Sequence, residues 1–109
     1  MLMPFLREEE IEEGTVLLVV VRSRCPKSEE IKRVAADLST RHRMVKFFIV
    51  EADLFRVFLN RFDVFGGCPS LLLFCDGHLI WNRHDIDGAI IRAAVAAALM
   101  GDVDLLKRL

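Results

Sequence analysis

The stretch Thr15-Val-Leu-Leu-Val-Val-Val21 decides the fold of this chain. After Thr15 it contains only valine and leucine, so neither face of an extended segment here would be polar. An uninterrupted run of this kind is typical of a strand that is covered on both faces, and not of an edge strand. The sequence therefore predicts that this strand lies at the centre of its sheet.

The residues that follow predict a βαβ unit. After a polar turn, Ser28 begins an amphipathic segment that runs to about Arg41 and is predicted to be a helix, with acidic residues in its first turn. Residues 45–50 form a second apolar strand. A right-handed crossover between two parallel strands is the most economical connection. The sheet is therefore expected to begin parallel.

The second half of the chain predicts a hairpin and a final helix. Apolar runs at residues 70–75 and 78–81 are joined by Asp76-Gly77, which is a strong signal for a two-residue hairpin turn. Asp87 is the predicted N-cap of a last helix over residues 88–100, and Gly101 is its predicted stop. Two further helices are predicted, at residues 4–13 and 54–62. The expected order of elements is α, β, α, β, α, β, β, α.

Composition limits what the chain can be. Its 109 residues are 53% hydrophobic and 28% charged, which fits a single folded domain over residues 1–109 and excludes a low-complexity chain. No apolar run approaches the roughly 20 residues of a membrane-spanning helix, and no secretory signal is visible. Three cysteines without zinc-ligand spacing predict a reducing, intracellular location, with no metal and no cofactor. The formal net charge of −1 argues against a dedicated nucleic-acid binder.

Two cysteines and a proline suggest chemistry. Cys25 lies just before a predicted helix N-terminus and beside Arg24, and both the helix dipole and the cation stabilise a thiolate. Pro69 directly precedes a strand, after Cys68, and is a candidate for a cis peptide bond. Cys75 lies inside a predicted strand and is expected to be a small buried apolar residue.

In this order, the elements between about residues 15 and 100 resemble the thioredoxin fold. The strand followed by Cys25 is similar to the active-site unit of thioredoxin, and Pro69 is similar to its cis-proline. The resemblance implies a three-layer α/β/α sandwich with a mixed four-stranded sheet and a truncated N-terminal strand. It also puts Cys25 at the nucleophilic cysteine and Ser28 at the resolving cysteine, so the dithiol motif is broken. Ordinary thioredoxin activity, which needs that second thiol, is not expected.

A narrower resemblance is to the Dim family of thioredoxin-like spliceosomal proteins. It rests on the opening MLMPFL, on Asp53, on FDV at residues 62–64, on the approach FGGC at residues 65–68 and on His78. Members of that family are small non-catalytic components of the tri-snRNP or its relatives. The resemblance implies a nuclear protein-binding component in pre-mRNA splicing, held by a large protein in a ribonucleoprotein, with a peripheral RNA contact as a further expectation. It also makes Cys25 and Cys68 face each other as a candidate disulfide.

Two other functions remain open. One is a monothiol redox protein in which Cys25 reacts and Cys68 resolves the mixed disulfide. The other is a phosducin-like chaperone cofactor, because VKFF at residues 45–48 is similar to the second strand of that group. A cytoplasmic location is the alternative to the nucleus.

The last predicted helix carries more apolar residues than one face requires. Residues 93–100 are AAVAAALM, so part of this helix is expected to contact another protein. Basic residues suit an acidic protein segment or an RNA backbone. Neither a membrane partner nor a small-molecule substrate is expected. The partner-binding candidates are Arg22, Arg24, Arg41, Arg43, Lys46 and Trp81.

Overall fold

Five strands and three helices make up the described part of the chain. The computed structural model describes residues 2–3, 11–22, 26–52 and 69–109, and of residues 2–3 it describes only the backbone. The strands are β1 (Leu2–Met3), β2 (Thr15–Val21), β3 (Val45–Glu51), β4 (Ser70–Cys75) and β5 (His78–His84). The helices are α1 (Ser28–Arg41), α2 (Gly88–Met100) and α3 (Val103–Lys107).

The strands form one mixed sheet in the order β1-β3-β2-β4-β5. β2 pairs parallel with β3 and antiparallel with β4, which confirms its predicted central position. β1 contributes only two residues at the edge, parallel to β3, with Leu2 opposite Phe47. The predicted mixed sheet is therefore confirmed, with four full strands and the two-residue β1 as the truncated N-terminal strand at its edge.

Both faces of the central strands β2 and β4 are buried. Odd-numbered residues of β2 and β4, such as Leu17 and Leu73, pack with α1 and α2 in one core cluster. Even-numbered residues, such as Leu18 and Leu72, form a second cluster on the opposite face together with Ile11. Strand side chains alternate between faces, so a strand with two apolar faces supplies both clusters at once.

The hairpin between β4 and β5 has the predicted turn and an unpredicted bulge. Asp76 and Gly77 both have positive φ angles, 47° and 86°, as the turn types favoured in two-residue hairpins require. Beyond the turn, Phe74 lies opposite Leu79 but Leu73 lies opposite Trp81. Ile80 is thus an extra residue, and the bulge puts Leu79 and Trp81 on opposite faces of the sheet.

The predicted boundaries of the last long helix are confirmed. The Oδ1 atom of Asp87 accepts a hydrogen bond of 2.9 Å from the N–H of Ile90, which caps the N-terminus of α2. Gly101 ends the helix in the left-handed conformation, with φ at 68°. None of the helices within residues 11–22, 26–52 and 69–109 has the length and apolar character that a membrane crossing needs.

Two details near the ends of the chain differ from the predictions. Glu12 and Glu13 lie in bends and not in a helix, and the backbone of Glu12 lies beside the hairpin turn, 3.6 Å from where a Cβ on Gly77 would stand. The short helix α3 was not predicted, although Asp102 caps it through a 3.0 Å hydrogen bond from the N–H of Leu105. The predicted helix at 54–62 and residues 4–10 of the first predicted helix lie outside the described residues.

Candidate functional site

The candidate site lies where β2 ends and β4 begins, which we call the carboxyl end of the sheet. Val20 of β2 is paired with Ser70 of β4, so Arg22 and Pro69 both belong to this end. The N-termini of α1 and α2 lie here as well, and they are in close contact. A Cβ on Gly88 would stand 3.0 Å from a methyl carbon of Val34, so only a glycine fits this contact without a shift of its neighbour.

Ser28 joins the start of α1 to the end of β2. Its side chain is buried, with 4% of the residue exposed, and its hydroxyl donates a 3.0 Å hydrogen bond to the carbonyl oxygen of Arg22. Lys27 is the N-cap of α1 and makes no side-chain capping bond. The hydroxyl of Ser28 therefore ties the first residue of α1 to the residue after β2. At the position that the thioredoxin resemblance assigns to a resolving thiol, this chain has a structural hydroxyl.

Pro69, Ser70 and His84 make polar contacts at this end of the sheet. Pro69 is buried, and its carbonyl oxygen accepts a 3.3 Å hydrogen bond from the N–H of Ile86. Ser70 is 3% exposed, and its Oγ lies 3.0 Å from Nδ1 of His84. Sequence reasoning missed this pair, because it depends on the register that the bulge at Ile80 sets. Among the described residues, no buried side-chain nitrogen or oxygen lacks a hydrogen-bond partner.

The cysteines divide between described and undescribed parts of the chain. Cys25, Cys68 and Arg24 lie outside the described residues, so the candidate disulfide stays a prediction. Cys75 is described, and the expectation that it is buried is wrong, because it is exposed at the last position of β4. Cys75 is the last residue of β4 and lies near Gly101, where α2 ends, so the helix does not cover its side chain.

The structure separates the basic partner-binding candidates. Lys46 lies opposite Val16 at the start of β3, whereas Arg22 follows the end of β2. Six residues of extended chain separate the two levels, which is about 20 Å. Arg41 and Arg43 lie with Lys46, in and beside the turn between α1 and β3. The described basic candidates therefore do not form one surface with Arg22.

Two of these candidates also have contacts within the fold. Arg41 Nε lies 3.3 Å from Oδ1 of Asp37 on the preceding turn of α1. Trp81 is half-buried and packs against the core cluster on the α1–α2 face, so much of its ring serves the core. Arg43 is exposed and Lys46 is half-buried, and the ion pairs found within the described ranges do not include either of them.

The part of the chain that the structure describes contains no cluster of metal ligands. No group of three or more histidine, cysteine, aspartate or glutamate side chains there could hold a metal ion. His78 and His84 lie at the two ends of β5.

Comparison with known proteins gives a likeness of structure and none of sequence. No family model matches the chain, and no curated protein matches it. Solved structures of thioredoxins do match. Mitochondrial thioredoxin 3 of Saccharomyces cerevisiae is 14% identical with a TM-score of 0.74, over 82% of this chain and 84% of that one. A thioredoxin of Plasmodium falciparum is 11% identical with a TM-score of 0.76, over 82% and 87%.

A third matching structure was solved in a study of the thiol-resolving mechanism of yeast mitochondrial 1-Cys peroxiredoxin, which acts through the glutathione and thioredoxin systems. It is 15% identical with a TM-score of 0.74, over 87% of this chain and 92% of that one. Identities this low show the fold alone. The chain therefore has a thioredoxin-like fold, as the order of its elements and its resemblance predicted.

Proposed function

We propose that this chain is a non-catalytic, protein-binding component of the spliceosome, of the tri-snRNP type. The observation that carries the proposal is the hydroxyl of Ser28, which is buried and bonded to the carbonyl oxygen of Arg22. A dithiol oxidoreductase releases its mixed disulfide by attack of a second thiol from this position. Here the side chain at this position bonds α1 to the end of β2, which supports binding, and not thiol exchange, as the function of the chain.

The spliceosomal part of the proposal rests on the Dim-like motifs and on one exposed surface. That surface, the basic turn, comprises residues 41–46. Its Met44 is 85% exposed, and Arg43 beside it is also exposed. A methionine between cations offers an apolar contact with electrostatic steering toward acidic protein segments or phosphates. Such a surface suits a small subunit that is held in a ribonucleoprotein.

The direct test is association with the tri-snRNP in cells of the source organism. Immunoprecipitation of the tagged chain from nuclear extract should enrich the small nuclear RNAs of the tri-snRNP. The double variant Arg43→Glu with Lys46→Glu should reduce that enrichment several-fold. The matched control, Arg33→Glu with Lys107→Glu, makes the same charge change at exposed residues outside the basic turn and should leave it unchanged. No enrichment with the unaltered chain contradicts the proposal.

A monothiol redox protein is the second candidate, favoured by the buried Pro69 at the start of β4 and by structural neighbours that are thioredoxins. Reduction of insulin disulfides with a thiol reductant separates it from the first. The non-catalytic function predicts no turnover by the unaltered chain and none by Cys25→Ser. Turnover that disappears in Cys25→Ser establishes the redox function instead.

Ser28→Cys is the informative variant in that assay. It replaces the structural hydroxyl with a thiol of similar size and completes a Cys-x-x-Cys sequence with Cys25. If only the missing thiol keeps the chain inactive, this variant gains reductase activity while the unaltered chain has none. Ser28→Ala is its control, since it changes the same position and adds no thiol.

A further inference from the structure

An apolar cavity of about 170 Å³ opens at the other end of the sheet, between α2, α3 and the β4–β5 hairpin. Its inner walls are fully buried residues, namely Leu73 of β4, Ala97 of α2 and Leu106 of α3. Its rim is formed by the exposed residues Ile80 and Val103, which are 39% and 41% exposed. Apolar side chains thus line a concave site from its floor to its mouth.

Three local features of the sequence build this cavity. Leu79 lies on the opposite face of the sheet, so alternation along β5 puts Ile80 on the face of Leu73, where it lines the cavity. Gly101 ends α2 in the left-handed conformation, and the N–H of Asp102 donates to the carbonyl of Ala97 at 3.0 Å, so the chain turns back sharply. α3 then forms the outer wall. The helix stop at Gly101 and the N-cap at Asp102 therefore set α3 apart from α2.

The size and chemistry of the walls select the occupant. An engineered apolar cavity of about 150 Å³ in another protein binds benzene, so about 170 Å³ holds one substituted ring. It is too small for a helix or for an extended segment. The carboxylate of Asp102 lies on the wall, where it caps α3, and it disfavours an anion. We propose that this cavity binds a small neutral aromatic molecule of the size of toluene.

This site is separate from the carboxyl end of the sheet and goes beyond the proposed function. Thr15, which lines the cavity, is paired with Cys75, whereas Val20 is paired with Ser70 at the carboxyl end. Five residues of strand separate these pairs, which is about 17 Å. The site can therefore fail or hold independently of the spliceosomal proposal.

Cys75 supplies a chemical readout, because it lines the cavity and its thiol is free. Toluene should slow alkylation of Cys75 by iodoacetamide, as measured by mass spectrometry of peptides from the full chain. After reduction of the chain and removal of the reductant, Cys25 and Cys68 serve as internal references in the same sample. Protection of Cys75 alone supports the proposal, and equal slowing of all three cysteines overturns it.

Titration with toluene, followed by methyl NMR, should give saturable shifts at Ile80, Val103 and Leu106. Benzoate, a ring of similar size with a negative charge, should bind at least about tenfold more weakly because of Asp102. Equal binding of the two rings, or no saturable shift up to the solubility of toluene, overturns the proposal.

A cavity-filling variant ties the shifts to this site. Ala98 is half-buried on the wall, and Ala98→Leu should abolish toluene binding and the protection of Cys75. Ala96→Leu adds the same atoms on the exposed side of α2 and should bind as the unaltered chain does. Ile80→Trp, at the exposed rim, should also abolish binding, and it replaces Ala98→Leu if that variant does not fold. Undiminished binding in the filled variants contradicts the assignment.

Discussion

The two ends of the sheet differ in how the surrounding helices and turns pack against them. At the carboxyl end, the hydroxyls of Ser28 and Ser70 are buried and each makes a 3.0 Å hydrogen bond to another element. At the opposite end, the hairpin and the two last helices leave an apolar cavity with an exposed rim. Among the described residues, hydrogen bonds tie the elements together at the carboxyl end, whereas an apolar cavity separates them at the other end.

This contrast has a physical origin in the elements that meet at each end. Buried polar groups are costly unless they are bonded, so an end rich in hydroxyls and strand termini must be tightly fixed. Apolar walls carry no such requirement, and a helix that ends early leaves a void without breaking a hydrogen bond. Each of the following substitutions tests one side of that contrast.

The largest effect is expected for Leu73→Ala. Leu73 is fully buried, belongs to the core cluster on the α1–α2 face and also forms the inner wall of the cavity. Truncation of a buried leucine costs about 2–5 kcal/mol, and the cost is greater where the site cannot collapse. The existing void gives its neighbours room to relax, so we expect about 3 kcal/mol in urea-induced unfolding.

Ile80→Ala is the control for that experiment, because Ile80 lines the same cavity at its exposed rim. It should cost less than about 1 kcal/mol, as for most partly exposed positions. Equal losses for the two variants would show that the inner wall is not part of the cooperative core.

The second effect is expected at the hairpin turn. Gly77 has a φ angle of 86°, which a residue with a Cβ adopts only with strain, so Gly77→Ala should destabilise the chain by about 1–2 kcal/mol. Asp76→Asn is the control, because asparagine tolerates positive φ. Its side-chain oxygen can also replace Oδ1 of Asp76, which accepts a 2.9 Å hydrogen bond from the N–H of Gly14. Thermal unfolding measures both, and a neutral Gly77→Ala would be evidence against the primed turn.

The hairpin also shows how far the sequence alone could lead. The Asp76-Gly77 turn was predictable, because few dipeptides adopt two positive φ angles cheaply. Counting outward from that turn puts Ser70 opposite Arg83, but the bulge shifts the register and His84 stands there instead. The bulge contains no glycine or proline that would predict it from the sequence. The Ser70–His84 contact of the candidate site was therefore beyond reach of local patterns.

The burial of residues at the ends of strands and helices was also hard to predict from the sequence. The uninterrupted apolar run predicted the burial of the middle of β2 correctly, as the fully buried residues Val16 to Val19 show. It could not show that Cys75 lies beyond the cover of α2, because that depends on where two distant elements stop. α3 was missed for a related reason, since its five residues are too few to display a helical period.

The third effect is expected at the carboxyl end, for Ser28→Ala. Loss of the buried hydroxyl removes the 3.0 Å hydrogen bond to the carbonyl of Arg22, which should cost about 1 kcal/mol. Thr40→Ala is the matched control, because Thr40 donates a hydrogen bond to a carbonyl of the same helix at an exposed position. It should be near neutral. If the two variants cost the same, burial adds nothing to the hydrogen bond between Ser28 and Arg22.

The smallest effect is expected for Asp102→Ala, at the end of the sheet that carries the cavity. The carboxylate of Asp102 caps α3 through the N–H of Leu105, and loss of an N-cap costs about 0.5–2 kcal/mol. We expect the lower limit, because α3 has only five residues and can open without unfolding the sheet. Asp102→Asn retains an oxygen that can cap, and it should be near neutral. Hydrogen exchange distinguishes local from global loss. In Asp102→Ala, faster exchange should be confined to α3 and the end of α2, whereas faster exchange in β2 would mean that the cavity walls stabilise the whole sheet.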